Sequence, residues 1–369
     1  MKKPINLESY LANGVENIVS GILNAALHNP KESRFMAKYA VQSREARKLR
    51  KTAQNGGQHI PPFLIASITT QCNLHCKGCY ARANHSCYDQ KSVENAPRLL
   101  DAKQWGSIFQ QAEELGIGFI LLAGGEPFVR RDVLAIAGEH TRILFPVFTN
   151  GTMIDADYLD LLDQKRNLIP IVSIEGRRET TDARRGSGIY QRLQSAMQEL
   201  HNRGLLFGAS VTVTKENIEE VLSDVFIDEL SVSGCKAIIY VEYVPTDHQS
   251  AALALDDEAR TLMTQRLEDV RGSHPDMLMV SFPGDEKSSG GCLAAGRGFF
   301  HINAFGGAEP CPFSPYSDSS VTATSLLGVL QSPLFLKLQQ QGNLTGEHIG
   351  GCVLFEQEEQ VKLLLKEQT

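Results

Sequence analysis

Six apolar, β-branched segments alternate with amphipathic ones between residues 62 and 244, and this alternation limits the fold more than any other feature. The six strand candidates are PFLIASITT, GFILLAGG, ILFPVFTNG, LIPIVSIEG, LFGASVTVT and KAIIYVEYV. Helical patterns lie between them, for example at Gln104–Leu115, Tyr190–Arg203 and Asn217–Leu230. Near-continuous apolar strands separated by helices indicate a parallel sheet covered by helices. Because six units are too few for the usual eight-stranded barrel, we expect an α/β fold with a partial (β/α)6 barrel.

The segments on either side of this series have a different character. Residues 7–28 form an amphipathic helical pattern, and a second, strongly basic helical pattern covers 31–51. The stretch NGGQHIPP at 55–62 is typical of a linker. We predict an N-terminal helical extension with its linker at 1–58, the barrel at 59–275 and a small C-terminal domain at 276–369. The extension either packs on the barrel or docks on a membrane surface or a partner protein.

Charge and hydropathy exclude several classes of protein. Lys and Arg total 36 against 43 for Asp and Glu, and the net charge of -7 gives no general attraction to nucleic acid. The sequence has no run of eighteen apolar residues, and its first residues lack the apolar core of a signal peptide. We therefore expect a cytoplasmic protein, in which the eight cysteines are thiols or metal ligands instead of disulfides.

Three of these cysteines, Cys72, Cys76 and Cys79, lie within eight residues on the loop after the first predicted strand. Three thiolates can hold three irons of a 4Fe-4S cluster and leave the fourth iron open to a small molecule, whereas a structural zinc site needs four ligands. The spacing alone leaves zinc binding and chance packing open. The loop follows the C-terminal end of a parallel strand, where chemistry collects in such folds, and this favours a catalytic centre.

Further polar motifs follow the next predicted strands. The residues that stand out are Gly124, Gly125 and Glu126 after the second strand and Asn150 after the third, and the segment TDARRGSG adds a pair of arginines after the fourth. Glycines let a ligand approach the backbone, and a carboxylate can accept a hydrogen bond from an ammonium group. Ordinary strand-to-loop turns and a solvated arginine loop are the competing interpretations.

Together these motifs resemble the radical S-adenosylmethionine (SAM) superfamily, whose signature is CxxxCxxC on this loop. The resemblance covers roughly residues 62–369. It implies that Cys72, Cys76 and Cys79 ligate a catalytic 4Fe-4S cluster, whose open iron chelates the amino and carboxylate groups of SAM. Reductive cleavage of the C–S bond then gives a 5′-deoxyadenosyl radical that abstracts hydrogen from a substrate.

The resemblance also implies a set of SAM contacts and shows two departures from the family pattern. The implied contacts are Tyr80, Gly124, Gly125, Glu126, Asn150, Ser173 and Arg185. Gly78 stands before the last cysteine, at a position that is often aromatic in the family. Glu175 stands in SIEG where the family usually has SIDG, so its side chain is expected to reach a different group.

The C-terminal hundred residues contain a second group of cysteines. Cys292 precedes a predicted strand, Cys311 ends the returning strand, and Cys352 follows a helical pattern. This arrangement resembles the SPASM/twitch extension of radical SAM enzymes, and implies that the three residues hold one auxiliary iron–sulfur cluster. Of the two remaining cysteines, Cys235 is expected in the core. Cys87 is left open between a fourth ligand, a hydrogen-atom donor and an idle thiol.

Two classes of function stay open at this point. The first is a radical SAM oxidoreductase or bond-forming enzyme with an unidentified substrate and a reductant such as ferredoxin or flavodoxin. The second is a non-catalytic iron–sulfur electron-transfer or zinc-binding module. A carrier needs closed ligand sets and no cofactor pocket, so the GGEP, SIEG and Arg-Gly motifs favour the enzyme. A peptide substrate and methyl transfer are disfavoured, because neither a peptide-binding domain nor a cobalamin-binding domain is recognised.

Overall fold

A computed structural model describes residues 29–88, 98–245, 250–285, 291–340 and 352–366. Its strands are β1 (Phe63–Ser67), β2 (Phe119–Ala123), β3 (Phe145–Thr149), β4 (Leu168–Ser173), β5 (Gly208–Val213), β6 (Ala237–Glu242), β7 (Leu278–Phe282), β8 (Phe299–Ile302), β9 (Gly307–Glu309) and β10 (Ser319–Ser320). They form a single ten-stranded sheet in the order β10-β9-β8-β1-β2-β3-β4-β5-β6-β7.

The helices of the barrel region connect and cover these strands. They are α1 (Pro30–Asn55), α2 (Tyr80–Ala83), α3 (Ala102–Leu115), α4 (Arg131–Glu139), α5 (Ala156–Gln164), α6 (Arg178–Arg185), α7 (Ile189–Asn202), α8 (Ile218–Val221), α9 (Asp224–Val232) and α10 (Asp257–Ser273). The helices after the β8–β10 hairpin are α11 (Leu326–Leu330), α12 (Pro333–Gln340), α13 (Val353–Glu356) and α14 (Glu358–Lys366).

The six predicted strands are β1 to β6, and each pairs in parallel with the next. Two further strands extend the parallel sheet, because β7 pairs with β6 and β8 pairs with β1. The rings of Phe282 on β7 and Phe299 on β8 have centroids 5.6 Å apart, so the outer strands of the parallel series meet through aromatic side chains. The fold is the expected α/β partial barrel. The predicted domain boundary at 276 falls before β7 and β8. Both strands continue the parallel sheet of the barrel, so the boundary does not separate two sheets.

Local sequence signals determine how each unit turns from helix to strand. At α3 the Asp101 carboxylate accepts from Gln104 N at 2.9 Å, and the Gln104 side chain accepts from Asp101 N, which forms a capping box. The helix ends at Gly116, whose φ of 79° lies in the left-handed region that glycine adopts without strain. Two residues separate Gly116 from β2. The GGEP loop follows β2 and therefore lies at the C-terminal end of the strand, away from the end of α3.

Helix α1 packs across the N-terminal ends of the strands, on the side away from the cysteine loop. Met36 and Tyr39 have no exposed surface and pack in a cluster with Phe119 and Ile169. Tyr39 Oη donates to Gly118 O at 2.7 Å. The prediction that the helical extension packs on the barrel is therefore confirmed for 31–51, whereas 7–28 lies outside the described residues. No helix in the described ranges is long and apolar enough to cross a membrane.

We expect Met36→Ala to lower the free energy of unfolding by about 2–5 kcal/mol, because it leaves a cavity between α1 and the barrel. Val41→Ala on the same helix is the control, since Val41 is 56% exposed and should change stability by less than about 0.5 kcal/mol. Anaerobic denaturant titration of the full chain measures both. Equal effects of the two substitutions would show that α1 is not part of the cooperative core.

Candidate functional site

The loop after β1 and the GGEP loop after β2 are joined through their backbones. Gly125 N donates to Thr69 O at 3.0 Å, and Glu126 N donates to Gln71 O at 2.7 Å. A Cβ atom at Gly124 would lie 2.3 Å from Thr69 O, and one at Gly125 would lie 2.0 Å from Gln71 O. The neighbour expected for these glycines is a ligand, but in the structure it is the cysteine loop itself. The glycines allow the two loops to approach.

We expect Gly125→Ala to displace the cysteine loop, because the added methyl group overlaps a backbone oxygen that cannot rotate away. The cost should be about 1–3 kcal/mol of stability, and the iron bound after reconstitution should fall. Gly272→Ala is the control, since no atom lies within 4 Å of its Cβ position. Iron analysis and unfolding of the two variants give the comparison. Normal iron content in Gly125→Ala would contradict the steric account.

Glu126 lies where the loops after β1 and β2 meet, and it is 1% exposed. Its Oε1 accepts from Phe128 N at 3.0 Å and from Thr149 Oγ1 at 2.7 Å, and its Oε2 accepts from Asn150 N at 2.7 Å. Burial raises the pKa of this carboxyl to about 7, against the effect of these hydrogen bonds. Both oxygens therefore tie the β2 loop to the end of β3. The predicted role of Glu126 toward the SAM amino group stays a prediction.

Asn150 connects the end of β3 to the cysteine loop. Its Nδ2 donates to Asn73 Oδ1 at 2.8 Å and lies 3.9 Å from Cys72 Sγ, while its Oδ1 accepts from Thr152 N at 3.0 Å. Gly151 follows with a φ of 71°. The motif is therefore a turn, as one interpretation had it, and it also directs an amide group at the first cysteine.

Glu175 is a buried anchor for both arginines of TDARRGSG. It is 1% exposed, and its carboxylate accepts from Arg185 Nε at 2.9 Å, from Arg184 Nη1 at 3.0 Å and from Thr212 N at 3.1 Å. Arg185 Nη1 lies 3.9 Å from Cys76 Sγ, and Arg184 Nε donates to Lys77 O at 3.2 Å. The interpretation as a solvated arginine loop is wrong. The longer side chain of Glu reaches both guanidinium groups and directs them at the cysteine loop.

The thiols of Cys72, Cys76 and Cys79 are free and partly exposed at this point. Burial raises the pKa of Cys76, whereas the charge of Arg185 lowers it and the neighbouring Cys79 raises it. A hydrogen bond from Cys87 lowers the pKa of Cys72. The positive charge of Arg185 and the amide group of Asn150 favour thiolate at this loop, as cluster ligation requires.

The donor set of this loop is the one that an iron–sulfur cluster needs. Among the described residues, no three His, Cys, Asp or Glu side chains are grouped so that they could hold one ion. A cluster has a different requirement, because each thiolate binds a different iron. The three thiols, with donors from β3 and α6 facing two of them, fit that group.

The C-terminal cysteines form a second group beyond Tyr80. Burial raises the pKa of Cys311 well above its usual value, and the adjacent Cys352 and Cys292 raise it further. Burial also raises the pKa of Tyr80, with added effects from Cys79 and Cys311. The Tyr80 ring centroid lies 4.8 Å from that of Phe313. Tyr80 therefore lies between the two groups of cysteines, and its role as a SAM contact stays a prediction.

Sequence reasoning missed a buried polar row on β1, β8 and β9. His301 Nε2 is 2.8 Å from Ser67 Oγ, and its Nδ1 is 2.7 Å from Glu309 Oε2. Asn303 Nδ2 donates to Glu309 Oε1 at 2.6 Å. His301 is 2% exposed. The available signal was a histidine inside the apolar strand FFHI. Its partner Glu309 lies across the β8–β9 hairpin, but Ser67 is 234 residues away and is reached only through the unpredicted pairing of β8 with β1.

Three other residues have simpler surroundings. Ser173 is partly exposed at the C-terminal end of β4. Cys235 is fully buried in the core, and its Sγ donates to Ala237 O at 3.2 Å, as expected of a core thiol. Glu242, at the end of β6, forms an ion pair with Arg260.

The family model that matches this chain is the radical SAM superfamily, over residues 66–225. The chain contains a radical SAM domain. The matched range begins inside β1 and contains the cysteine loop, the GGEP loop, α6 and the strands β2 to β5. The family resemblance drawn from the cysteine spacing is thereby confirmed.

Curated relatives of this chain are named for several reactions. It is 29% identical to the Fe-coproporphyrin III synthase of Methanosarcina barkeri, over 48% of this chain and 43% of that protein. It is 24% identical to the AdoMet-dependent heme synthase of the same organism, over 78% of this chain and 87% of that protein. It is 27% identical to the mycofactocin maturase MftC of Mycolicibacterium smegmatis, over 53% and 52%. The chain spans less than half the length of the first two relatives that it matches.

Solved structures support the fold of this chain. Streptococcus suis SuiB bound to S-adenosylmethionine has a TM-score of 0.63 at 17% identity, over 80% of this chain and 70% of SuiB. The enzyme anSMEcpe with bound AdoMet has a TM-score of 0.59 at 14% identity, over 84% and 93%. At these identities the likeness shows the fold alone.

Proposed function

We propose that this chain reductively cleaves SAM and uses the 5′-deoxyadenosyl radical to abstract hydrogen from a substrate. The observation that carries the proposal is the convergence of Asn150 and Arg185 on the sulfur atoms of Cys72 and Cys76, at the C-terminal end of the parallel sheet. When bound, a reduced 4Fe-4S cluster supplies the electron that breaks the sulfonium C–S bond. The chain's own residues hold that cluster, position SAM and exclude water.

In this proposal each of the loops that meet at the cysteines has its own role. Cys72, Cys76 and Cys79 are the ligands, and Arg185 and Asn150 offset the negative charge on sulfur. Glu175 holds Arg185 in place, and the close contact at Gly124 and Gly125 fixes the loop backbone. Proposed contacts to SAM are Tyr80, Gly124, Gly125, Glu126, Asn150, Ser173 and Arg185.

We also propose that Cys292, Cys311 and Cys352 hold an auxiliary cluster with one open iron. The mutual effects of these thiols on their pKa values support their proximity. Cys87 contacts Cys72 and so belongs to the other group, which leaves three thiolates for the second cluster. The test is spectroscopy of the Cys72/Cys76/Cys79→Ala variant with and without added ligand, repeated with Cys87→Ala. An unchanged spectrum with added ligand, together with cluster loss on Cys87→Ala, would exclude the open iron.

The competing function is an iron–sulfur electron carrier. Anaerobic reconstitution followed by SAM and a strong reductant distinguishes the two, because only the enzyme releases 5′-deoxyadenosine. A ferredoxin or flavodoxin in the cytoplasm is the proposed natural reductant. A cluster-loaded protein that binds SAM but releases no 5′-deoxyadenosine would rule out the enzyme.

The substrate is the open part of the proposal. Relatives named for heme synthesis and for peptide maturation both match this chain, so either class of substrate is compatible with the domain. Incubating the reconstituted enzyme with cell extract and deuterated SAM, and then finding the labelled molecule, identifies it. Label in a peptide would overturn our preference against a peptide substrate.

A further inference from the structure

Basic side chains cover the outer face of α1. Met36 and Tyr39 bury the inner face of this helix against the barrel, so residues at helical spacing on the other side lie in solvent. The exposed basic residues of that outer face extend along about 26 Å of helix, at about 1.5 Å per residue. They are Arg34, Lys38, Arg44, Lys48 and Lys51, and we name them the basic stripe.

The acidic residues of α1 leave this stripe positive. The helix contains two of them, and each has a basic partner outside the helix. Glu32 is buried on the inner face and pairs with Arg166. Glu45 Oε2 lies 3.6 Å from Arg142 Nη2, on the loop before β3. Within the ranges that the structure describes, no acidic side chain pairs with the stripe. Eight basic and two acidic residues give α1 a net charge of +6, in a chain whose net charge is -7.

Two exposed apolar side chains lie among these charges. Val41 lies between Lys38 and Arg44 and is 56% exposed. Leu49 follows Lys48 and is 45% exposed. The surface of an anionic phospholipid bilayer offers negative headgroups and apolar acyl chains together, and basic helices with apolar side chains bind at that boundary. A nucleic-acid backbone offers only the charge.

The position of the stripe narrows the choice of partner. Helix α1 crosses the N-terminal ends of the strands, whereas the cysteine loop follows the C-terminal end of β1. An acidic electron carrier has to approach the cluster, and this face is on the far side of the barrel from it. Residues 1–28 lie outside the described residues, but their two lysines and two glutamates give no net negative charge to match the stripe.

We propose that the basic stripe docks this chain on the surface of an anionic phospholipid bilayer, with Val41 and Leu49 in contact with the boundary between headgroups and acyl chains. The cysteine loop then faces away from the bilayer, so the barrel opens to water. The acidic residues elsewhere do not cancel the attraction, because charges farther from the bilayer than the Debye length of about 8 Å are screened. The inference goes beyond the proposed function and does not depend on SAM cleavage.

Co-sedimentation of the cluster-loaded full chain with vesicles tests the docking. Vesicles of phosphatidylcholine and phosphatidylglycerol in equal parts should bind the parent, and vesicles of phosphatidylcholine alone should not. Binding should weaken as salt is raised, because salt screens the attraction between exposed charges. A parent protein that does not bind anionic vesicles at low salt, or that binds both kinds equally, would overturn the inference.

Variants that remove charge locate the docking surface. Replacing Lys38, Arg44 and Lys48 together by Gln should weaken binding to anionic vesicles about a hundredfold, at about fivefold per basic residue. The single variant Lys38→Gln should show the fivefold change even if the triple variant does not fold. The matched control removes three exposed basic residues outside α1 and should keep parental binding: Arg98→Gln, Lys103→Gln and Arg192→Gln together. Equal weakening by both triple variants would mean that net charge and not the stripe sets the binding, and the inference would be wrong.

The apolar residues distinguish a bilayer from other polyanions. Val41→Ala together with Leu49→Ala keeps every charge and should weaken binding to anionic vesicles about tenfold. If this variant binds vesicles like the parent, or if single-stranded DNA at the same phosphate concentration binds the parent as tightly as the vesicles do, the stripe is a general polyanion site and the inference fails. Vesicle binding needs no SAM cleavage, so a parent that binds anionic vesicles but forms no 5′-deoxyadenosine would contradict the proposed function alone.

Discussion

Replacing Cys72, Cys76 and Cys79 together by alanine is expected to abolish 5′-deoxyadenosine formation and to remove one cluster from the reconstituted protein. The three thiols are the ligands that the site offers at the end of β1, and each binds a different iron. The C-terminal cysteines are unchanged in this variant, so the iron that stays should belong to the auxiliary cluster. Iron and sulfide analysis together with product chromatography give the result.

Cys235→Ala is the matched control, because it removes a thiol from the buried core at the opposite end of β6. This variant should retain both clusters and SAM cleavage. If the triple variant formed 5′-deoxyadenosine at the parental rate, the assignment of these three cysteines would be wrong.

Glu175→Gln should have the second largest effect. The substitution removes a buried negative charge from two arginines, which are then left without their carboxylate partner. Breaking a buried ion pair from one side costs about 3–5 kcal/mol. Arg185 would lose its position beside Cys76, so reconstituted iron and SAM affinity should fall together. Denaturant titration and iron analysis measure the change.

Glu229→Gln is the control for Glu175. Its ion pair with Arg177 is about half exposed on both sides, so its loss should cost at most about 1 kcal/mol and leave the iron content unchanged. Glu175→Asp restores the charge on a shorter side chain and should recover contact with only one arginine. Equal stability of Glu175→Gln and Glu229→Gln would contradict the anchoring role.

The sequence predicted the six strands β1 to β6 because each is marked by a local apolar run of the right length. It did not predict β7, a five-residue strand after α10, or the parallel pairing of β8 with β1. The run FFHI was recognised as one strand of a hairpin. Its second edge pairs with a strand more than two hundred residues earlier, and no local pattern reports such a pairing.

The candidate site shows the same division between local and non-local information. The cysteine loop and the GGEP loop followed from short motifs. Arg185 was predicted as a SAM contact, which stays a prediction, and its place 3.9 Å from Cys76 Sγ is visible only in the fold. The attachment of Glu175 to both arginines and to Thr212 on β5 depends on segments that meet only in the folded sheet. The glycine pair was recognised, but its neighbour was taken for a ligand, because a motif does not show which backbone approaches it.

The most direct test of the account is hyperfine spectroscopy of the reduced protein with SAM that carries ¹⁵N in its amino group and ¹⁷O in its carboxylate. If Cys72, Cys76 and Cys79 leave one iron open to SAM, both labels should couple to the cluster, and the coupling should vanish in the triple alanine variant. Coupling that survives in that variant would assign SAM to the other cluster. A fully reduced parent protein with saturating SAM and no coupling to either label would contradict the central claim.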